Sequence, residues 1–235
     1  MKRLLIHLYL IMSSFLLTWA QSDDRPYILD VGDFNTLQII DDLTVTHRCN
    51  PDSAGLAVLT GHPVSIKSVF FTNKGNKLKI ELNVDDGYTI ASTPSITVYS
   101  NFLNYAENCG DSTLSIISPA PGASFKVKVI GNGKIIATGI HATQTEGSLN
   151  TGKGTLVLEG VTKAAKFKNI GTGRIEASDL EAQTATITIL GTGAVDCYAT
   201  EELVVKGMGT GSIKVKGNPV IKKRVVGPIN IKQID

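Results

Sequence analysis

The chain has 235 residues, with 23 Lys or Arg against 21 Asp or Glu and a formal net charge of +2. This length suits one large domain or two small ones. The nearly balanced charge argues against a dedicated nucleic-acid-binding protein, because such a protein carries an excess of cations for the phosphates.

The first twenty residues have the three parts of a secretory signal peptide. Lys2 and Arg3 are basic, residues 4–17 are mostly apolar, and residues 18–20 place small side chains where a signal peptidase reads. An uncleaved membrane anchor is the alternative, but the apolar stretch is short for a bilayer and contains polar residues. We therefore predict export to the periplasm, the outer membrane or the cell surface, with residues 21–29 as a linker. No later apolar run is long, so no membrane span is expected in the mature chain.

The segment 30–110 alternates strand-like runs with turn signals and shows only a loose period. The predicted strands cover residues 36–40, 43–46, 56–59, 68–71, 77–82 and 95–99. Cys49 and Cys109 flank most of these runs, and an exported protein can join them by a disulfide. With Cys197 the count is odd, and three separate small buried thiols are the other interpretation.

The segment 111–217 carries a repeat of glycine pairs separated by one residue. The pairs are Gly131/Gly133, Gly152/Gly154, Gly171/Gly173, Gly191/Gly193 and Gly209/Gly211. Their first members lie 21, 19, 20 and 18 residues apart. Such a period indicates a stacked repeat. A nucleotide-binding loop would need a third glycine and a following helix, and none of the pairs has either.

Residues after each glycine pair alternate between apolar and polar. Four positions after the first glycine come Ile135, Leu156, Ile175, Val195 and Ile213. This two-residue period predicts short strands with one face inward. A twenty-residue unit cannot bury that face alone, so the units must stack. We predict an all-β protein, a parallel β-helix or β-solenoid with coils of about 20 residues. Residues 218–235 are predicted to cap its end.

Two groups of residues are candidates to face a ligand. Thr172, Thr192 and Thr210 occupy the middle of three glycine pairs and would form an outward row of hydroxyls. Lys222, Lys223 and Arg224 form a basic cluster that could bind anionic glycans or lipid headgroups. The structural alternatives are that threonine is a good strand residue and that charges protect the last strand edge.

A polysaccharide lyase or a glycoside hydrolase is the alternative function, because both chemistries need clustered carboxylates. Glu176 and Asp196 are expected to stack on adjacent coils and point outward, with Lys214 next in the row. We interpret that row as a surface charge ladder, in which Lys214 can neutralise the two acids. His47, His62 and His141 are far apart in the repeat and are expected at the surface. No catalytic, cofactor-binding or metal-binding residue is predicted.

Several motifs carry a resemblance to a known family. They are DFNTL at 33–37, NKLKI at 76–80, SITV at 95–98, the repeated Gly-Thr-Gly units, and the ending IKVKGNPVIKKRVVGPINI at 213–231. In their order the chain resembles the "putative auto-transporter adhesin, head GIN domain" family of Gram-negative envelopes. The resemblance implies a right-handed β-helix over residues 30–233 and an exported, surface-exposed protein, and it supplies no catalytic residues. Our own hypothesis is a non-catalytic scaffold whose partner is a glycan or another envelope protein.

Overall fold

The computed structural model describes residues 25–83 and 92–234. The predicted signal peptide lies outside these residues. The strands are β1 (Tyr27–Asp30), β2 (Thr36–Ile39), β3 (Val45–Cys49), β4 (Leu56–Thr60), β5 (Val69–Lys74), β6 (Lys77–Leu82), β7 (Ser95–Ser100), β8 (Tyr105–Asn108), β9 (Thr113–Ile117), β10 (Gly122–Ile130), β11 (Lys134–Asn150), β12 (Thr155–Gly171), β13 (Arg174–Gly191), β14 (Ala194–Gly209), β15 (Ser212–Lys216), β16 (Val220–Val226) and β17 (Asn230–Ile234). One short helix, α1 (Pro63–Lys67), and a 3-10 turn at Pro51–Ser53 complete the described elements.

The chain forms a β-solenoid of about 6 turns with coils of roughly 20 residues, which confirms the predicted fold. Each of the long strands β11 to β14 bends in the middle and so belongs to two ladders of parallel strands. Ladder A stacks β7, β3, β9, the first segments of β11 to β14, β15 and β17. Ladder B stacks β6, β2, β8, β10, the last segments of β11 to β14, and β16.

The core lies between the ladders as rows of stacked apolar side chains. The predicted row from Ile135 to Ile213 is in register in ladder A, and its members are buried. The positions four residues before each glycine pair predict a second inward row, which consists of Val127, Ser148, Phe167, Ile187 and Val205. Ser148 is the wrong member of this row, because it points outward and Gly147 takes the inward position beside Phe167. The reason is one extra residue at the following corner, because three residues separate Ile130 from Lys134 whereas four separate their partners Asn150 and Thr155.

The glycine pairs form the corners between the two ladders, as predicted. The first glycine of each pair has a positive φ, for example 127° at Gly191. In the last three pairs the threonine between the glycines donates its backbone N–H to a carbonyl of the preceding corner, as Thr192 does to Gly171 at 3.1 Å. A side chain on the second glycine would overlap the coil beneath, so these corners require glycine for close approach.

The N-terminal strands stack out of chain order. Strand β2 lies between β6 and β8, and β3 lies between β7 and β9, so the coil formed by β6 and β7 is outside the earlier coil. Antiparallel pairs cover this end: β5 pairs with β6, β4 with β7, and β1 with β4. Residues 27–29, placed at the end of the predicted linker, thus belong to strand β1.

The C-terminal residues continue the solenoid. Strands β16 and β17 pair in parallel with β14 and β15, so the segment predicted as a cap is the last coil. Val220 is 65% exposed and Ile221 is 39% exposed, because no further coil of the described chain covers them.

One expectation about side chains is corrected, and one open alternative is decided. His47 is fully buried rather than at the surface, whereas His62 and His141 are exposed. The three cysteines are free thiols in the described structure, so the Cys49–Cys109 disulfide is not formed. Cys49 accepts a hydrogen bond from the Ala120 backbone N–H, at 3.3 Å.

Candidate ligand-binding face

The outward side chains of ladder B form two adjacent rows that are rich in lysine. The first row contains Tyr105, Lys126, Glu146, Lys166, Thr186, Val204 and Lys222. The second row contains Glu107, Lys128, Ser148, Lys168, Thr188, Lys206 and Arg224. Strand alternation places both rows on one surface, which we call the basic face. Its inner side is the apolar core row that includes Phe167 and Ile187.

Glu107 anchors the N-terminal part of the basic face. Its carboxylate accepts hydrogen bonds from Gln38 Nε2 at 2.9 Å and from the Tyr105 hydroxyl at 2.5 Å, and it pairs with Lys128 Nζ at 3.3 Å. Burial favours the neutral acid, but the hydrogen bonds from Tyr105, Gln38 and Cys109 and the charge of Lys128 outweigh it and lower the pKa of Glu107 to about 2. Burial, together with the bond to Glu107, raises the pKa of Tyr105.

Glu146 bridges the middle of the first row. Its carboxylate lies 3.2 Å from Lys126 Nζ and 3.8 Å from Lys166 Nζ. These pairs are solvated, and each stabilises the fold by roughly 0.2–1 kcal/mol. They therefore orient the lysines without neutralising the face.

Three cations of the second row have no carboxylate partner among the described residues: Lys168, Lys206 and Arg224. Parallel strands are spaced by about 4.8 Å, so Lys128, Lys168 and Lys206 recur about every 10 Å along the row. A shallow groove of about 340 Å³ runs over Lys126, Lys166 and Lys168 and includes the hydroxyls of Thr186 and Thr188. The surface offers regularly spaced cations beside hydroxyl groups.

The predicted basic cluster divides between the two sides of β16. Lys222 and Arg224 point outward on the basic face, and Lys222 pairs with Glu202 at 2.5 Å. Lys223 stands in register with buried Val205, and its Nζ donates to the Ile229 carbonyl at 2.9 Å. Arg224 is the member of the trio that extends the row of unpaired cations.

The three predicted threonines form one exposed row at a solenoid corner. Thr172, Thr192 and Thr210 follow one another on successive coils, and Thr172 Oγ1 also donates to the Gly152 carbonyl at 3.2 Å. The row lies four positions along the chain from the row of Lys168, Thr188 and Lys206. The structure thus groups the threonines with one another and not with the basic trio.

Sequence reasoning missed Lys126, Lys128, Lys166 and Lys168. The available signal was the pattern Lys-x-Lys, at 126–128 and again at 166–168, two coils apart. A strand of alternating orientation puts both lysines of each pair outward. Glu107 carried no such signal, since its partner Gln38 lies 69 residues earlier in the chain.

The family comparison decides the identity of this solenoid. The sequence matches the family described as "Putative auto-transporter adhesin, head GIN domain" over residues 33–219. The chain belongs to this family. The predicted resemblance is thereby confirmed.

Solved structures share the fold of this head GIN domain. A "putative adhesin" from Bacteroides fragilis is 25% identical with a TM-score of 0.79, covering 89% of this chain and 96% of that one. A "putative lipid binding protein" from Parabacteroides distasonis is 21% identical with a TM-score of 0.66, covering 90% and 96%. A "putative adhesin" from Parabacteroides merdae is 17% identical with a TM-score of 0.67, also covering 90% and 96%. The last two show the fold alone. No curated protein matches the chain significantly.

The carboxylates considered for catalysis lie on the opposite ladder of the head GIN domain. Glu176 and Asp196 are neighbours in ladder A, followed by Lys214. Arg174 lies between them, with Nη1 at 3.4 Å from Asp196 and Nε at 4.0 Å from Glu176. This is a surface charge ladder. Among residues 25–83 and 92–234 no cluster of three or more metal-ligating side chains occurs, and no helix is long and apolar enough to cross a bilayer.

Proposed function

We propose that this head GIN domain is an exported, non-catalytic module that binds acidic polysaccharides along its basic face. The observation that carries the proposal is the row of Lys128, Lys168, Lys206 and Arg224, in which the last three lack carboxylate partners among the described residues. A linear polyanion with charges at regular intervals matches Lys128, Lys168 and Lys206, which recur about every 10 Å, and Arg224 adds a further cation one coil beyond Lys206.

The surroundings of the row suit a glycan. Thr186 and Thr188 place hydroxyl groups in the groove between the lysines. Hydroxyls both donate and accept hydrogen bonds, so they complement sugar hydroxyls as well as carboxylates. The predicted row of Thr172, Thr192 and Thr210 is a second hydroxyl surface that a long chain could reach after passing over the basic face.

The state of the acids on this face supports the proposal of a non-catalytic role. Glu107 is held by three hydrogen-bond donors and Lys128, and Glu146 bridges two lysines. A general acid needs a raised pKa, but that of Glu107 is lowered to about 2. Both carboxylates therefore serve to position cations.

The test uses the chain from residue 21 to 235 and two polysaccharides, acidic polygalacturonate and neutral dextran. Affinity is measured by titration calorimetry, and the glycan mass is measured before and after. We expect saturable binding of polygalacturonate only, with unchanged glycan mass. The double variant Lys168→Glu/Lys206→Glu should weaken binding by about tenfold or more, since both charges and their release of counterions are lost.

Matched controls come from ladder A. Lys214→Glu/Lys232→Glu changes the net charge by the same amount on the other side of the solenoid and should leave the affinity within about twofold. Equal loss in both double variants would contradict the basic face and indicate a net-charge effect. Shortened glycans would contradict non-catalytic binding. Anionic vesicles form a third arm, because one structural neighbour is described as a "putative lipid binding protein"; tighter binding to vesicles than to polygalacturonate would reject the glycan as ligand.

A further inference from the structure

The N-terminal end of the solenoid contains an apolar groove between two strand edges. Strand β1 pairs only with β4, and strand β5 pairs only with β6, in the described part of the chain. The two strands belong to the ends of different ladders. The mouth of the core therefore opens between them, at the end of the molecule farthest from Arg224.

Apolar side chains form the floor and one wall of this groove. Its larger part encloses about 430 Å³ and is lined by Tyr27, Leu29, Ile66, Val69 and Phe70, together with Pro63. An adjoining part of about 380 Å³ shares Leu29, Val69 and Phe70 and extends the groove along β5. Each part has the size of a small-molecule site. Tyr27 is 52% exposed and Phe70 is 47% exposed, so large apolar surfaces face solvent here.

The charged side chains that line the larger part of the groove are basic. Lys67, in the last turn of α1, and Arg25 line the larger part, and no acidic residue within 25–83 or 92–234 lines it. Lys67 makes no ion pair with any described residue. Asp30 lines the adjoining part, at the other end of the groove. An occupant is thus expected to be apolar along its length and anionic at the end near Lys67.

We propose that this groove binds a long-chain carboxylate. The acyl chain would lie over Leu29, Val69 and Phe70, and the carboxylate would lie at Lys67. The apolar floor of Leu29, Val69 and Phe70 and the cation at one end match an amphiphile better than a peptide strand, because these three side chains offer no hydrogen bond to a polar backbone lying over them. The site is separate from the basic face, so this proposal does not depend on polysaccharide binding.

The experiment measures binding of palmitate and of uncharged hexadecanol to the chain 21–235, by displacement of the fluorescent fatty acid cis-parinarate. The chain 21–235 contains no Trp, since Trp19 precedes residue 21, so tryptophan emission does not overlap the signal of the probe. We expect one saturable site. Phe70→Ser should weaken binding of both amphiphiles by about tenfold, because a large apolar contact is lost. Lys67→Glu should weaken palmitate selectively and leave hexadecanol unchanged.

Control variants lie at the other end of the molecule. Met208→Ser removes an apolar side chain that is 60% exposed, and Lys232→Glu reverses an exposed charge. Neither should change palmitate binding. The proposal is overturned if palmitate fails to saturate one site, if Phe70→Ser and Met208→Ser have equal effects, or if Lys67→Glu weakens both amphiphiles alike. Displacement of the probe by an extended apolar peptide but not by palmitate would also overturn it. Urea unfolding confirms that each variant is folded, and Tyr27→Ser replaces Phe70→Ser if the latter is not.

Discussion

His47 and Ser100 join two coils inside the core, with His47 Nε2 at 2.8 Å from the Ser100 hydroxyl oxygen. Both side chains are fully buried, and the Phe34 ring meets the imidazole edge-on at a centroid distance of 6.0 Å. The contact joins strand β3 to strand β7. Strand β7 belongs to the outer coil, although it comes later in the chain. A buried imidazole in this position makes the cohesion of the N-terminal end depend on pH.

Stability is expected to fall between pH 6.5 and pH 4. Burial lowers the pKa of His47 from 6.5 to about 4, so the folded protein holds the neutral ring while the unfolded chain takes up a proton. The stabilisation is present above pH 6.5, is lost as the pH falls, and is gone below pH 4; its size is about 3 kcal/mol. Urea unfolding at pH 7.5 and pH 4 measures it.

His47→Gln should remove this part of the pH dependence, because glutamine does not titrate. His141→Gln, at an exposed histidine, should retain it. An unchanged pH profile in His47→Gln would contradict the assignment.

Glu107 is expected to act in a lower pH range. Its pKa is lowered from 4.5 to about 2, so the carboxylate stabilises the fold above pH 4.5 and this contribution is lost as the pH falls through 2. Glu107→Gln should lower the free energy of unfolding at pH 7. It should also make that free energy fall less steeply below pH 4.5. The comparison with Glu176→Gln, an exposed acid of ladder A, isolates the effect; similar profiles for both variants would refute it.

Gly193→Ala is expected to destabilise the solenoid by about 2 kcal/mol or more. The added Cβ would overlap the side-chain amide of Asn169, whose Nδ2 donates to the carbonyls of Gly173 at 2.8 Å and Ala194 at 3.2 Å. Thermal unfolding measures the loss.

Gly75→Ala is the matched control, since no atom lies within 4 Å of its added Cβ and only the positive φ of 59° is strained. That strain costs about 1–2 kcal/mol. A smaller loss at Gly193 than at Gly75 would show that the corner relaxes around the new methyl group.

All three thiols are expected to be reduced in the folded protein. Burial, with the neighbouring Asp196, raises the pKa of Cys197 to about 12, and burial together with Glu107 raises that of Cys109 to about 11. Both should react with maleimide at pH 7.5 at least about 100-fold more slowly in native protein than in urea, because the thiolate is the reactive form. In urea without reductant, mass spectrometry should find three adducts; a single adduct would reveal a disulfide.

The regular coils could be read from the sequence because their contacts repeat at a nearly constant separation. Glycine pairs mark each corner. Ile175 and Val195 both lie four positions after the first glycine of their pairs, and this count alone predicts that they stack. The error at Ser148 shows the limit of this reasoning, since a one-residue shift at a bend changes which side chain faces inward. The division of Lys222, Lys223 and Arg224 between two sides follows from the same alternation.

The sequence by itself determined the all-β solenoid, its coil length and its corners, because those depend on local alternation and on glycine at tight turns. Tertiary structure alone decided the order of the N-terminal coils, the burial of His47, the contacts of Glu107 and the groove between β1 and β5. Each of these joins strands that are distant in sequence and follow no common period. Which distant strands pair depends on the packing of the whole N-terminal end of the molecule, and no short stretch of sequence predicts it.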